Sequence, residues 1–134
     1  MNTTTLPNVI QTKNQLALST GSTSKALLTC TLGELLASQA LIYSDQLAVV
    51  SLTGVTLTYQ QLYQRSSSLA SSLRFYGISA GDHVGIYAEN CEIYVELLFA
   101  IAMVGGVSVV LNANYTSTEL STALRAAGNL AVYL

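Results

Sequence analysis

The stretch Gly77–Leu120, GISAGDHVGIYAENCEIYVELLFAIAMVGGVSVVLNANYTSTEL, decides the fold. Gly81 and Asp82 read as a turn, and His83–Ala88 after them as a strand. Asn90 stands where a helix cap is expected, ahead of Cys91–Val104, which is apolar nearly all round and so predicts a helix covered on several sides. Gly105 and Gly106 end that helix, and Val107–Leu111 is a continuous apolar strand. Thr116 and Glu119 then have the spacing of a capping box for a helix closing at Gly128, and Leu130–Leu134 begins another strand. Unbroken apolar strands alternating with helices are the pattern of parallel β-α-β units whose sheet is covered on both faces. The predicted class is α/β.

Working upstream, Thr58 and Gln61 form a second capping box, opening a helix that Gly77 stops. Its expected buried stripe is Tyr59, Leu62, Leu69, Leu73 and Tyr76. Gln64, Arg65, Ser67, Ser68, Ser71 and Ser72 make the polar face. Before it, Leu47–Leu52 and Val55–Thr58 flank Thr53 and Gly54, the spacing of a hairpin with a two-residue turn. Thr31 and Glu34 cap a short helix to about Ala40. Residues 1–30 read as a polar, poorly ordered leader, and residues 31–134 as one partial, mainly parallel sheet with covering helices and a β-hairpin at its N-terminal side.

Length allows one domain. Hydrophobic residues make up 51% and charged residues 9% of the chain, against about 25% charged in ordinary soluble domains. Either a larger folded unit hides much of this surface, or Ser and Thr wet it instead. A formal net charge of -2 excludes the dense basic footprint of a nucleic-acid binder or of a protein drawn to anionic membranes. The apolar run Leu97–Leu111 is shorter than the ~20 residues of a bilayer span and contains two glycines, so it reads as helix, turn and strand. Met1–Thr31 lacks the apolar core of a secretory signal, which points inside the cell: to the cytoplasm, or, since the leader is rich in Ser and Thr and free of acids, to a mitochondrion or peroxisome.

Few residues offer chemistry. Cys30 and Cys91 lack metal-ligand or dithiol spacing and read as reduced, buried thiols. His83, the sole histidine, neighbours Asp82, but adjacent strand residues point to opposite faces, so a structural role for His83 and a turn role for Asp82 are favoured over a nucleophile relay. Glu89, Glu92 and Glu96 gather at a helix start, where the dipole welcomes negative charge without a metal. Gly21–Lys25 and Gly105–Gly106 are the candidates for a phosphate loop. The first has no preceding strand, and the second lies at a helix C-terminus, whose partial charge repels phosphate. Asn90, Asn112, Asn114 and Tyr115 follow strand ends, where α/β sheets bind ligands, but helix capping by Asn90 and turn formation by the others are the favoured reading. No catalytic, cofactor-binding or metal residue is assigned to the chain.

Together these segments resemble the adenylate-forming, AMP-binding superfamily of acyl-CoA synthetases, luciferases and peptide-synthetase adenylation domains, over roughly Leu18–Leu134. LTYQQL, Leu57–Leu62, looks like its L-T-Y-x-E/Q-L motif. Gly77–Leu120 resembles its succession of G-D-x-V, N-x-x-E, glycine turn and V-P-L-N strand. Thr20–Leu36, TGSTSKALLTCTLGELL, is similar to the opening segment of medium- and long-chain fatty acid synthetases. His83 in place of a Lys or other basic residue, Leu111 following Val110 without a Pro between them, and Ala113 in place of a Pro depart from the pattern and blur the subgroup. The resemblance implies an incomplete N-terminal subdomain of the adenylate-forming fold. In the whole family, ATP, Mg and CoA serve a reaction that joins an acid to ATP as an acyl adenylate and passes the acyl group to CoA. The family's phosphate loop, adenine and ribose residues and catalytic Lys have no counterpart in the 134 residues. No cofactor is therefore expected for this chain, and the expectation is a truncated ligase piece inactive alone. The alternatives are an interaction protein that pairs with a synthetase, or with itself through the final strand, and one half of a split ligase whose partner is the C-terminal half.

Overall fold

The computed structural model describes residues 9–11, 17–19, 24, 26–52, 54–127 and 130–133. Within the stretch expected to be a polar leader, β1 (Val9–Gln11) pairs antiparallel with β2 (Ala17–Ser19). The helix α1 (Leu32–Ile42) starts at the anticipated box: the Glu34 N–H donates to Thr31 Oγ1 at 3.2 Å and the Thr31 N–H donates to Glu34 Oε2 at 2.8 Å. β3 (Leu47–Val50) and β4 (Thr56–Thr58) form the antiparallel pair. Both strands are shorter than expected, and the connection is not a two-residue turn. The Ser51 N–H donates to Val55 O at 2.8 Å and the Gly54 N–H to Ser51 O at 3.0 Å, so the turn starts at Ser51 and draws residues read as strand into the loop.

α2 (Tyr59–Phe75) opens at the Thr58–Gln61 box and closes with Gly77 at φ 90°, a left-handed conformation that a Cβ would strain. Its buried residues are Leu62, Ser66, Ala70 and Leu73. This corrects the expected stripe at two points: Ser66 is fully buried, and Tyr76 is 74% exposed because it caps the helix beyond the last turn that touches the core.

The remaining elements are β5 (His83–Tyr87), α3 (Glu92–Val104), β6 (Val107–Leu111), α4 (Ser117–Ala127) and β7 (Leu130–Tyr133). Asn90 does not cap α3. Cys91 occupies the cap position and makes no side-chain cap bond, which starts the helix one residue later than expected. β5, β6 and β7 form a parallel sheet in the order β6-β5-β7, with His83 opposite both Val107 and Leu130. Because β6 and β7 flank β5 on opposite sides, the right-handed crossovers through α3 and α4 place those helices on opposite faces.

The main core joins Val84 and Ile86 of β5 to Leu97, Ala100, Ile101 and Val104 of α3 and to Ala70 and Leu73 of α2. A second cluster, Leu36, Leu57 and Leu62, ties α1 and α2 to the hairpin, and Met103 packs against both clusters. Gly33 allows this close approach, since a Cβ there would lie 2.9 Å from Met103 Cγ. Among the described residues, no helix is long and apolar enough to cross a membrane.

Candidate functional site

Beyond the C-terminal ends of β5 and β6 lies a crevice of about 340 Å³, lined in part by Glu89, Asn90, Tyr94, Asn112 and Asn114. The strand order reverses about β5, and such a switch point is where an α/β sheet leaves room for a ligand. The loop after β6 is shaped internally. The Asn114 N–H donates to Asn112 Oδ1 at 2.9 Å, the Tyr115 N–H donates to Asn112 O at 3.0 Å, and the Tyr87 hydroxyl donates to Ala113 O at 3.1 Å. Asn90, Asn112 and Asn114 line one crevice. Tyr115 instead faces a groove beside α4.

The acidic residues take separate roles. Glu96 is buried and accepts from Arg65 Nη1 at 3.0 Å, Glu89 lines the crevice, and one carboxylate oxygen of Glu92 is buried with no hydrogen-bond partner. No three His, Cys, Asp or Glu side chains gather as metal ligands among the described residues. Nothing local foretells the Arg65–Glu96 pair, whose members stand 31 positions apart on different helices. Ser66, with a fully buried and unpartnered hydroxyl, was hidden in what reads as a polar serine run.

His83 Nδ1 lies 2.6 Å from the carbonyl oxygen of Ala127, the last residue of α4, and so satisfies an acceptor that the helix end leaves open. Asp82 Oδ2 accepts from the Ser79 N–H at 2.7 Å and holds the turn before β5. The two side chains serve different partners, as strand geometry required. At Gly105 and Gly106 the N–H groups donate to Ala102 O and Ile101 O, so they are spent inside the helix terminus and offer no cradle to phosphate. Gly21–Lys25 lies outside the described residues, apart from Ser24. Both cysteines are free, but Cys30 is exposed and Cys91 half-buried, which corrects the expectation of buried thiols: Cys30 precedes the α1 cap on the outside of the fold, and Cys91 sits in the strand-to-helix turn. Two carboxyls are shifted: hydrogen bonds from the Thr116 backbone N–H, then from its hydroxyl, hold Glu119 below its ordinary value, and Thr31 does the same for Glu34.

A crevice at the switch point of a parallel sheet narrows the lineage without naming it. The model of the family described as AMP-binding enzyme matches residues 36–133. The chain belongs to the AMP-binding enzyme family. Acyl-CoA ligase SID4 of Ajellomyces capsulatus is 47% identical over 118 residues, which are 87% of this chain and 20% of that protein. Acyl-CoA ligase sidI of Aspergillus fumigatus is 44% identical over 110 residues, 81% of this chain and 19% of that one. The chain thus spans about a fifth of the length of these curated relatives. Among solved structures, the N-terminal domain of FACL13 from Mycobacterium tuberculosis superposes with a TM-score of 0.73 at 28% identity, covering 76% of this chain and 26% of that domain. A putative long-chain-fatty-acid CoA ligase from Rhodopseudomonas palustris gives 0.68 at 30% identity, covering 71% of this chain and 24% of that one. The matched residues take in α2, α3, α4 and the parallel β6-β5-β7 sheet.

Proposed function

We propose that this chain supplies the N-terminal sheet scaffold of an ATP-dependent acid–CoA ligase and performs no chemical step with its own residues. In the full reaction a carboxylate attacks the α-phosphate of ATP, giving an acyl adenylate and pyrophosphate. The thiol of CoA then attacks the acyl carbonyl and releases AMP as the thioester forms. The observation that carries this reading is the family match over residues 36–133, which runs from α1 through the parallel sheet. Supporting it, the N–H groups of the glycine turn at Gly105 and Gly106 are already bonded to carbonyls of α3. What the chain contributes is rigidity. The two faces of β5 are buried, and α2 and α3 hold one of them. Such a platform keeps reactive groups elsewhere in a ligase within the narrow geometry that acyl transfer demands. Free thiols and ATP chemistry together fit a reducing compartment inside the cell.

The test is a chimera in which this full chain replaces the matching fifth of the Ajellomyces capsulatus ligase. Formation of an acyl-CoA thioester by the chimera supports the scaffold role. A chimera that folds, binds ATP and yet makes no thioester with any acid the parent ligase uses overturns it.

A further inference from the structure

Met103 is the residue at which three helices meet. It stands on α3 and packs against both hydrophobic clusters, so its side chain joins the core under the sheet to the cluster that seats α1. Its Sδ accepts from Ser67 Oγ of α2 at 3.8 Å, and its carbonyl accepts from Arg74 Nη2 of α2 at 2.7 Å. Toward α1 the fit is tight: a Cβ on Gly33 would lie 2.9 Å from Met103 Cγ, so the space over Gly33 does not hold one more heavy atom. Met103 and Ser67 are both half-buried, which puts the sulfur at the margin of the core with a hydroxyl beside it. It is the sole thioether among the described residues.

We propose that Met103 is a site of reversible oxidation by peroxide, and that its sulfoxide unseats α1. A sulfur lone pair attacks one oxygen of hydrogen peroxide, the O–O bond breaks and an S–O bond forms. Proton transfer to the departing hydroxide releases water, so the thioether is oxidised by two electrons and the peroxide is reduced. A thioether is a weak acceptor and a sulfoxide a polar one, so the Ser67 hydroxyl that meets the sulfur is a better partner for the product than for the starting side chain. The new oxygen enters a contact between apolar clusters, and one of the packed helices must give way. The pair α2 and α3 holds, because both contribute to the main core and Arg74 ties them together at Met103 itself. The helix that yields is α1, whose buried residues are Leu36 and Ala40, against four in α2 and five in α3. Its departure uncovers Leu57 and Leu62, which pack with Leu36. The inference stands apart from the scaffold role, since it needs only contacts within this chain.

The experiment treats the full 134-residue chain with hydrogen peroxide, in a Cys30→Ser, Cys91→Ser background so that no thiol competes, with N-acetylmethionine amide as the free thioether in the same mixture. Peptide mass spectrometry follows the added oxygen on Met103, and hydrogen exchange follows the amides of α1 and α3. Met103 is expected to oxidise within about a hundredfold of the free thioether, after which α1 exchanges at least about tenfold faster while α3 keeps its rate. Methionine sulfoxide reductases, one for each epimer, should restore both the mass and the slow exchange. Met103→Leu, close in volume, should keep α1 slow in peroxide. Oxidation slower than that hundredfold limit marks a sulfur reached only by global unfolding and overturns the site. Oxidation that leaves α1 unchanged, or α1 exchanging fast before peroxide is added, overturns the switch. Loosening of α1 by peroxide in Met103→Leu overturns Met103 as its cause. If Met103→Leu does not fold, the reductases decide, and restored mass without restored exchange overturns the proposal.

Discussion

Replacing Arg65 by Met probes a buried charge, that of Glu96, and the partner that holds it. The Glu96 side chain is 7% exposed and Arg65 Nη1 stands 3.0 Å from its Oε1, while Arg65 itself is 53% exposed. Removing one member of a fully buried pair costs about 3–5 kcal/mol, since it strands a charge away from water. Here the guanidinium is half in solvent, and its departure opens a path for water to the carboxylate. The cost should therefore fall to about 1–3 kcal/mol, the range for leaving a buried polar group without its hydrogen-bond partner. With a urea slope of about 1–3 kcal/mol per molar, the unfolding midpoint of the full chain should fall by roughly 1 M. Adding Glu96→Leu to Arg65→Met removes the stranded carboxylate and should recover most of the loss, because an apolar replacement of a buried pair is often neutral or better. A double variant less stable than Arg65→Met alone would show that Glu96 is not held by Arg65 in the way the geometry indicates.

Ile101→Ala should cost about 2–5 kcal/mol in the same urea assay, because Ile101 is fully buried between α2, α3 and β5 and the core has little freedom to collapse. Gly105→Ala should destabilise by more than about 1 kcal/mol, since φ is 77° there and the new Cβ would lie 3.0 Å from Ala80 Cβ; thermal unfolding reads this directly. Acidification should fray α1 and α4 at their N-termini. Glu34 and Glu119 titrate below their ordinary value in the fold, so the stability they lend is present above the unfolded value and is lost as pH falls through the folded one. Helical circular dichroism should be flat at neutral pH and fall in acid, and Glu119→Gln together with Glu34→Gln should flatten the acid limb.

Signals that are local in sequence proved legible. The capping boxes at Thr31, Thr58 and Thr116, the glycine stops at Gly77 and Gly105 and the apolar strand Val107–Leu111 all rest on residues within four positions of each other. The parallel order β6-β5-β7 realises the expected α/β class, and the AMP-binding family follows the motif order noted in Leu57–Leu62 and Gly77–Leu120. Non-local packing was harder. Ser66 is buried because α2 turns that face toward α3, which a run of three serines conceals. Arg65 finds Glu96 only after both helices are placed. Cys91 displaces Asn90 at the α3 cap because the chain remains extended for one residue more, with φ -145° and ψ 173°. The position of the crevice at Asn90, Asn112 and Asn114 follows from the strand ends, but the Tyr87–Ala113 bond that ties its loop to β5 joins residues 26 positions apart and has no local signal.

Titration calorimetry with ATP, run side by side on the 134-residue chain and on the ligase chimera that carries it, bears most directly on the claim that these residues form a platform without a nucleotide site. A saturable heat for the chimera and none for the chain alone is the predicted pair of results. A saturable one-to-one heat from the chain by itself would place a phosphate-binding surface within these residues and contradict it.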